Sequence, residues 1–354
     1  MFYIVGPEDT RWSEAYELMP SGQKDAFFSP QYAKVCAKYI FPGDKIYCAM
    51  QEAGSSTYLF PFVQRRIRDV AKQDEAPDYN DIRGLYGRSG LAMSEKNEEG
   101  QQKFWQSFLN YCRDNRIITS FGRVHPEMLN SYNGQTAFSI QEFGEEVTVN
   151  TCSNVDALLP NFEHAVRKNL RKGKSLGLQF TEDMKCEHLA EVVAIYYETL
   201  ARNLAAEFYR FSEEFFSLLL HSKDSVGRLF LATLNDEVVS FEVVLLDGIF
   251  AHSFLGGTLT NHLKTQANTF LKVHIIQELH RIGVTKFFLG GGVNANDSLL
   301  KYKQGFSPKG TNKSFIETSI LDNPKHRELG AFFSDRNLSI RPNRVQFYEA
   351  SDFA

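Results

Sequence analysis

The chain is poor in several things that common functions depend on. It has 5 cysteines in 354 residues, and Cys36, Cys48, Cys112, Cys152 and Cys186 form no C-x-x-C pair. That scatter excludes zinc-ribbon and dithiol redox motifs and fits reduced thiols, so a cytoplasmic protein without a bound metal is expected. Positive charge is not in surplus: 39 Lys and Arg stand against 43 Asp and Glu, a formal net charge of −4. A protein built mainly to coat nucleic acid is basic overall, so any polyanion site must be local. Long apolar runs are also missing. The longest, Phe215 to Leu220 and Val238 to Leu246, fall far short of the ~20 residues of a membrane helix, and the second contains Glu242. The start, Met1-Phe-Tyr-Ile-Val-Gly, has neither a basic region nor an apolar core, so no secretory signal is expected. There is no HExxH, no P-loop and no G-x-G-x-x-G fingerprint.

What is present suffices for folding. Hydrophobic residues make up 43% of the chain, including 30 Phe, which is ample for buried cores and excludes a disordered chain. The length suggests two domains of roughly 150 residues. In the first half, Tyr32 to Tyr39 reads as a helix. Lys45 to Met50 and Thr57 to Arg66 read as a hairpin, and Asp69 to Asp81 as a polar loop. Phe104 to Asn115 is an amphipathic helix and Ile117 to Val124 a strand. In the second half, a strand at Glu145 to Asn150 precedes helices at Asp156 to Lys174, Glu187 to Arg202 and Ser212 to Leu220. Three strands follow, Arg228 to Leu234, Val238 to Asp247 and Ile249 to Leu255, joined by tight turns. Then come a helix from Thr265 to Ile282, a strand at Lys286 to Leu289, a short helix at Asp297 to Gln304 and a strand at Phe315 to Leu321. Val345 to Tyr348 is a further strand candidate in the polar tail. This is a mixed α/β arrangement with an antiparallel meander, not a regular βαβ alternation.

Three patterns carry candidate chemistry. In the first, Phe254-Leu-Gly-Gly-Thr258 precedes Gln266-Ala267-Asn268 at the start of a helix. Glycines beside a helix N-terminus offer backbone N–H groups to an anion such as phosphate, although glycines also serve simple turns. In the second, Gly290-Gly-Gly292 follows an apolar strand and precedes Asn294, Asp297, Lys301 and Lys303. Glycines there admit close approach of a ligand or of another backbone, a lysine can steady developing negative charge, and Asp297 is placed as an N-cap. In the third, Arg167, Lys168, Arg171, Lys172 and Lys174 crowd one helix. Such a run is either a solvated face or a local contact to RNA or a sugar-phosphate. Glu242 and His252 lie in neighbouring apolar strands, as candidate general bases or as hydrogen-bonded core residues.

Taken in order, these pieces resemble the FemAB-like branch of the GNAT acyltransferase superfamily. The resemblance runs through Tyr86-Gly-Arg-Ser-Gly90, Phe121-Gly-Arg-Val-His-Pro126, Val166-Arg-Lys-Asn-Leu-Arg-Lys-Gly173, Tyr196-Tyr-Glu-Thr-Leu-Ala-Arg-Asn203 and Phe254-Leu-Gly-Gly-Thr258. It ends with Phe288-Leu-Gly-Gly-Gly-Val293 and Asp297 to Phe306. It implies tandem GNAT-like domains with twisted mixed sheets flanked by helices: residues 1–150, completed by a returning tail at 322–354, and residues 151–321. It implies an enzyme that moves an acyl group from acyl-CoA to an amine. The alternatives are aminoacyl transfer from aminoacyl-tRNA to a peptidoglycan precursor, or a non-catalytic module that binds a sugar-phosphate or peptide. On the family pattern, Gly256, Gly257, Thr258, Gln266, Ala267 and Asn268 approach the donor, and Lys303 steadies the oxyanion. Tyr86, Arg88, Arg167, Arg171, Arg202 and Tyr209 belong to substrate binding, with the acceptor expected between the two domains.

Overall fold

The structure is a computed structural model describing residues 1–151, 155–221, 225–292, 298–307 and 310–349. The chain divides into two compact units. Unit 1 is Met1–Gln23, Phe27–Phe143 and Ser314–Ala354; unit 2 is Lys24–Ala26 and Gly144–Lys313.

In unit 1 the strands are β1 (Phe2–Val5), β2 (Lys45–Ala53), β3 (Ser56–Arg66), β4 (Asn80–Arg83), β5 (Ala92–Met93) and β6 (Ile117–Val124). Its helices are α1 (Thr10–Glu17), α2 (Pro30–Val35), α3 (Ile67–Ala71) and α4 (Glu98–Asp114). Unit 2 contains β7 (Ile140–Asn150, most of it), β8 (Gln179–Glu182), β9 (Gly227–Leu234), β10 (Glu237–Asp247), β11 (Phe250–Thr258) and β12 (Lys286–Gly290). Its helices are α5 (Val155–Leu158), α6 (His164–Ser175), α7 (Leu189–Arg202), α8 (Glu213–Leu220), α9 (Ala267–Arg281) and α10 (Ser298–Gln304). The chain then returns to unit 1 with β13 (Asn312–Ile320) and α11 (Asn323–Asp335).

The two sheets repeat one plan. Unit 1 runs β1-β2-β3-β4-β6-β13, antiparallel at every step except the parallel pair β4/β6. Unit 2 runs β8-β9-β10-β11-β12-β7, antiparallel except for β11/β12. Each parallel step needs a crossover, and α4 and α9 lie in those connections. Each closing strand is out of sequence with its neighbours: β13 follows unit 2 and completes unit 1, while β7 precedes the other strands of unit 2.

Aromatic packing builds unit 1. Asn97 caps α4 by accepting from the Gly100 N–H at 3.0 Å, with Glu98 and Glu99 in the first turn. Phe104, Trp105 and Phe108 then face Tyr58, Phe60 and Phe62 of β3. In unit 2, Phe241 of β10 meets Tyr196 of α7 and Phe216 of α8. Val239 and Val244, on the other face, pack with Phe270, Leu271 and Val273 of α9. Helix α6 covers α9, and Gly173 allows this, since a Cβ there would come within 3.0 Å of Leu178 and Phe270.

Several sequence expectations are corrected. Residues 69–81 are not one loop, for they hold the end of α3 and the start of β4, a strand whose four residues are too few to show a period. Pro160 breaks the expected helix from Asp156 into α5 and α6. The strand near Phe315 does not close the second domain but pairs with β6 in unit 1. Val345 to Tyr348 is no strand. It is held by side chains instead: Gln346 and Glu349 accept from Arg65 at 3.0 and 2.8 Å, and Tyr348 donates to Asp81 at 2.8 Å. Arg65 also forks onto Asp81 at 2.9 and 2.8 Å, in a buried network. Asn294 and Asp297 lie outside the described residues. No described cysteine forms a disulfide, and burial pushes the Cys36 thiol up to about 12. No described helix is long and apolar enough to cross a membrane.

Candidate active site in unit 2

The parallel pair of unit 2 opens. Strands β11 and β12 pair at Phe250–Lys286, Ala251–Phe287 and His252–Phe288, and among the described residues the ladder stops there. Both strands then bulge. The β10/β11 register jumps between Val243 and Val244, leaving Phe254 as an extra residue on β11. The β12/β7 register jumps between Phe288 and Gly290, leaving Leu289 extra on β12, and Gly290 has φ +74°. A bulge bends its strand and breaks local pairing, so the two strands part just beyond the last pair. Backbone groups at such an opening can take a ligand's extended chain, as an exposed sheet edge does.

Charged groups gather at this opening, on opposite faces of the sheet. Toward α9, Lys272 contacts the Glu242 carboxylate and donates to Ser253 Oγ at 2.9 Å. Burial pulls the Lys272 ammonium down from its ordinary pKa, and Glu242 opposes that shift. Toward the other face, His252 stacks on Phe288 with centroids 4.8 Å apart, and its Nε2 lies 2.6 Å from Asp25 Oδ2. Asp25 and His252 are both buried. The two candidate bases are therefore already engaged, Glu242 by an ion pair and His252 by a carboxylate. Lys303, on α10, donates to the Gly291 carbonyl at 2.6 Å, at the end of β12.

The other predicted residues are placed as follows. Gly256 and Gly257 do not form a turn. They lie inside β11, paired with Glu242 and Phe241. Gly257 serves packing, because a Cβ there would come 2.7 Å from Thr199 Oγ1 and 2.9 Å from the Phe241 ring. Thr258 is buried, with Oγ1 2.8 Å from Ser240 Oγ. Arg202 clamps the strand's end, donating to the Thr258 carbonyl at 3.0 Å and to Thr260 Oγ1 at 2.8 Å. Residues Thr260–Thr265 form a 3-10 turn, and Gln266 (φ +65°) leads into α9 without a side-chain cap. The first N–H groups of α9, from Ala267 and Asn268 onward, thus have no side chain of Gln266 upon them. Tyr209 gives its carbonyl to Tyr196 Oη at 2.5 Å. On α6, none of Arg167, Lys168, Arg171, Lys172 and Lys174 makes an ion pair with a described residue, and Arg167 Nε is buried without a partner. Tyr86 and Arg88 belong to unit 1, where the Tyr86 carbonyl accepts from Tyr32 Oη at 2.5 Å.

Sequence reasoning missed Lys272, Ser253 and Asp25. A signal existed for Lys272, a lone cation in the apolar run Phe270-Leu-Lys-Val, which could be set against Glu242, a lone anion in an apolar strand. Asp25 had none, being separated from His252 by 227 positions.

Residues 160–304 match the family model described as an acetyltransferase (GNAT) domain. No curated protein matches the sequence. Among solved structures, FemX superposes with a TM-score of 0.70 at 12% identity, covering 93% of this chain and 99% of its own. L-PGS from Bacillus licheniformis gives 0.58 at 13% identity, with 92% and 97% covered. The C-terminal domain of a putative lysylphosphatidylglycerol synthetase from Agrobacterium fabrum gives 0.56 at 14%, with 92% and 96% covered. At such identities the likeness is one of fold. The chain therefore carries a GNAT acetyltransferase-like domain at residues 160–304, within a mixed α/β fold that it shares with FemX.

Proposed function

We propose that the protein is an N-acyltransferase whose donor lies in the opening between β11 and β12. The observation that carries this reading is the opening itself, two bulged strands parting beyond His252 and Phe288 with Lys303 at the β12 side. The donor's extended arm would pair with strand backbone, and its phosphates would meet the first N–H groups of α9. The amine nitrogen attacks the thioester or ester carbonyl, whose electron pair moves to oxygen. The Lys303 ammonium steadies that oxyanion. Collapse expels the carrier thiol or hydroxyl, and the proton lost by nitrogen balances the one the leaving group takes up. Holding amine and carbonyl together supplies much of the acceleration. Glu242 has no part as a base here, because its carboxylate is committed to Lys272. His252, in the last parallel pair, remains the candidate.

Acyl-CoA is the donor in the leading reading. A second reading, aminoacyl-tRNA, is favoured by the cations of α6, none of which pairs with a described acidic residue and which would face a polyanion. Turnover of acyl-CoA and of aminoacyl-tRNA against a panel of amines separates the two. A tRNA donor is expected to weaken steeply with salt and to fail on reversal of Arg171 and Lys174. Donor binding with no turnover of any amine would turn the reading into a recognition module.

A further inference from the structure

The Glu242–Lys272 pair is costly where it stands. Both side chains are buried beside apolar residues that include Val239, Val244, Ala251, Phe270, Leu271 and Val273, with Ser253 as a polar neighbour. Taking two charges out of water is expensive, and apolar residues of the same volume are often as stable or more so. Stability alone is thus a poor account of the pair.

Its position suggests another. Lys272 reaches two neighbouring strands, Glu242 on β10 and Ser253 on β11. Glu242 stands opposite Gly256, and Ser253 opposite Val244. Between Ser253 and Gly256 lies Phe254, the bulge residue. The ammonium therefore grips the sheet on both sides of the bulge. A slip of one residue would turn every later side chain to the other face. Gly256 would then replace Gly257 opposite Phe241, and Leu255 would replace Gly256 opposite Glu242. In unit 1 the parallel pair closes instead: Ser89 returns to the ladder beside Val124.

We propose that Lys272 is a positioning residue which, by joining Ser253 to Glu242 across the Phe254 bulge, keeps β11 turned away from β12 and the donor groove of unit 2 open. Calling the groove a donor groove rests on the proposed function; the clamp itself does not.

The test uses the full chain. Lys272→Met alone leaves Glu242 buried and unpaired, so the informative variant is Glu242→Leu with Lys272→Met, with Ser253→Ala as a milder second. The double variant is expected to fold with an unreduced melting temperature, as apolar replacements of buried pairs do. Amide exchange at residues 253–257 should rise at least about tenfold, with β9 and the middle of α9 unchanged. The donor KM should rise about tenfold with a smaller change in kcat, and Ser253→Ala should move both readouts in the same direction. Unchanged exchange in a folded double variant overturns the clamp, whatever the wild type catalyses. Faster exchange with an unchanged donor KM overturns the positioning role. Faster exchange in a protein that transfers no acyl group keeps the clamp and removes the functional reading.

Discussion

Units 1 and 2 lay down the same strand order, yet one parallel pair closes and the other opens. In unit 1 the pair β4/β6 ends at Arg83–Phe121, and Gly84 donates at once to the Phe121 carbonyl at 2.9 Å. The next residues loop out, and Ser89 rejoins the ladder, donating to Arg123 at 2.7 Å and accepting from His125 at 2.8 Å. Gly84 and Gly122 make room, since a Cβ on either would come within 2.8 Å of the Ser89 Cβ. Among the described residues of unit 2 no loop returns, and a bulge on each strand carries the edges apart. Both units mark the end of the pair alike. Arg83 lies over the Phe121 ring at 5.9 Å and meets Glu349 at 3.4 Å, while His252 stacks on Phe288 and meets Asp25. Each carboxylate comes from a distant part of the chain. The lesson is that a shared sheet plan does not decide whether a parallel pair closes or opens at its end. A few residues just past the last parallel pair do.

The comparison can be broken at several points. The largest effect is expected from Lys272→Met alone, which leaves a buried carboxylate without its cation and should cost about 3–5 kcal/mol in denaturant unfolding. Next come two buried titrating groups with opposite signs. Burial raises Glu317 of unit 1 to about 7, although Ser120 and Ser319 donate to its carboxylate. The folded state then holds a proton that the unfolded chain releases near 4.5, so this group's contribution falls as pH rises from about 4.5 to 7. Glu317→Gln should stabilise unit 1 above pH 7 by up to about 3 kcal/mol, with no gain below pH 4.5. Burial, helped by Lys174, lowers His274 of unit 2 to about 4. Its contribution is complete above 6.5 and is lost as pH falls toward 4. Between pH 7 and 4 these two groups should push the units in opposite directions, which unit-resolved amide exchange would read.

Lys303→Ala should lower turnover by about 100-fold while the melting temperature holds. Unchanged turnover would remove Lys303 from oxyanion stabilisation and leave it as a support for the Gly291 strand end. The smallest effect belongs to unit 1. Gly122→Ala should cost about 1–3 kcal/mol by crowding Ser89, with donor KM unaffected. A changed donor KM would mean that the closed pair of unit 1 also serves the donor.

Much of the fold was legible where a period or a glycine marked it. The hairpin of β2 and β3 and the meander β9–β11 stand within a few residues of expectation, and the amphipathic run Phe104 to Asn115 is helical but begins six residues earlier, at Glu98. The opening itself was not legible. It depends on two bulges, Phe254 on β11 and Leu289 on β12, that show only as register shifts between paired strands. Gly256 and Gly257 suggested a turn because a glycine pair usually marks one, whereas here α7 packs so close to the sheet that Gly257 admits no side chain. Glu242 was visible as an anion in an apolar strand, but its partner lies 30 positions away on another element. Lys303 was found through family resemblance, and its hydrogen bond to Gly291 needed the fold.

The central claim, that the opened pair of unit 2 receives the donor and the closed pair of unit 1 does not, is tested most directly by amide exchange with and without a bound, non-transferable donor: a thioether analogue of acyl-CoA and, separately, an amide-linked aminoacyl-tRNA. Protection at residues 253–258 and 289–291, with none at residues 84–90 and 121–125, is the predicted result for one of the two. Binding that protects unit 1 at those positions, or that leaves both strand pairs unprotected, would contradict the account.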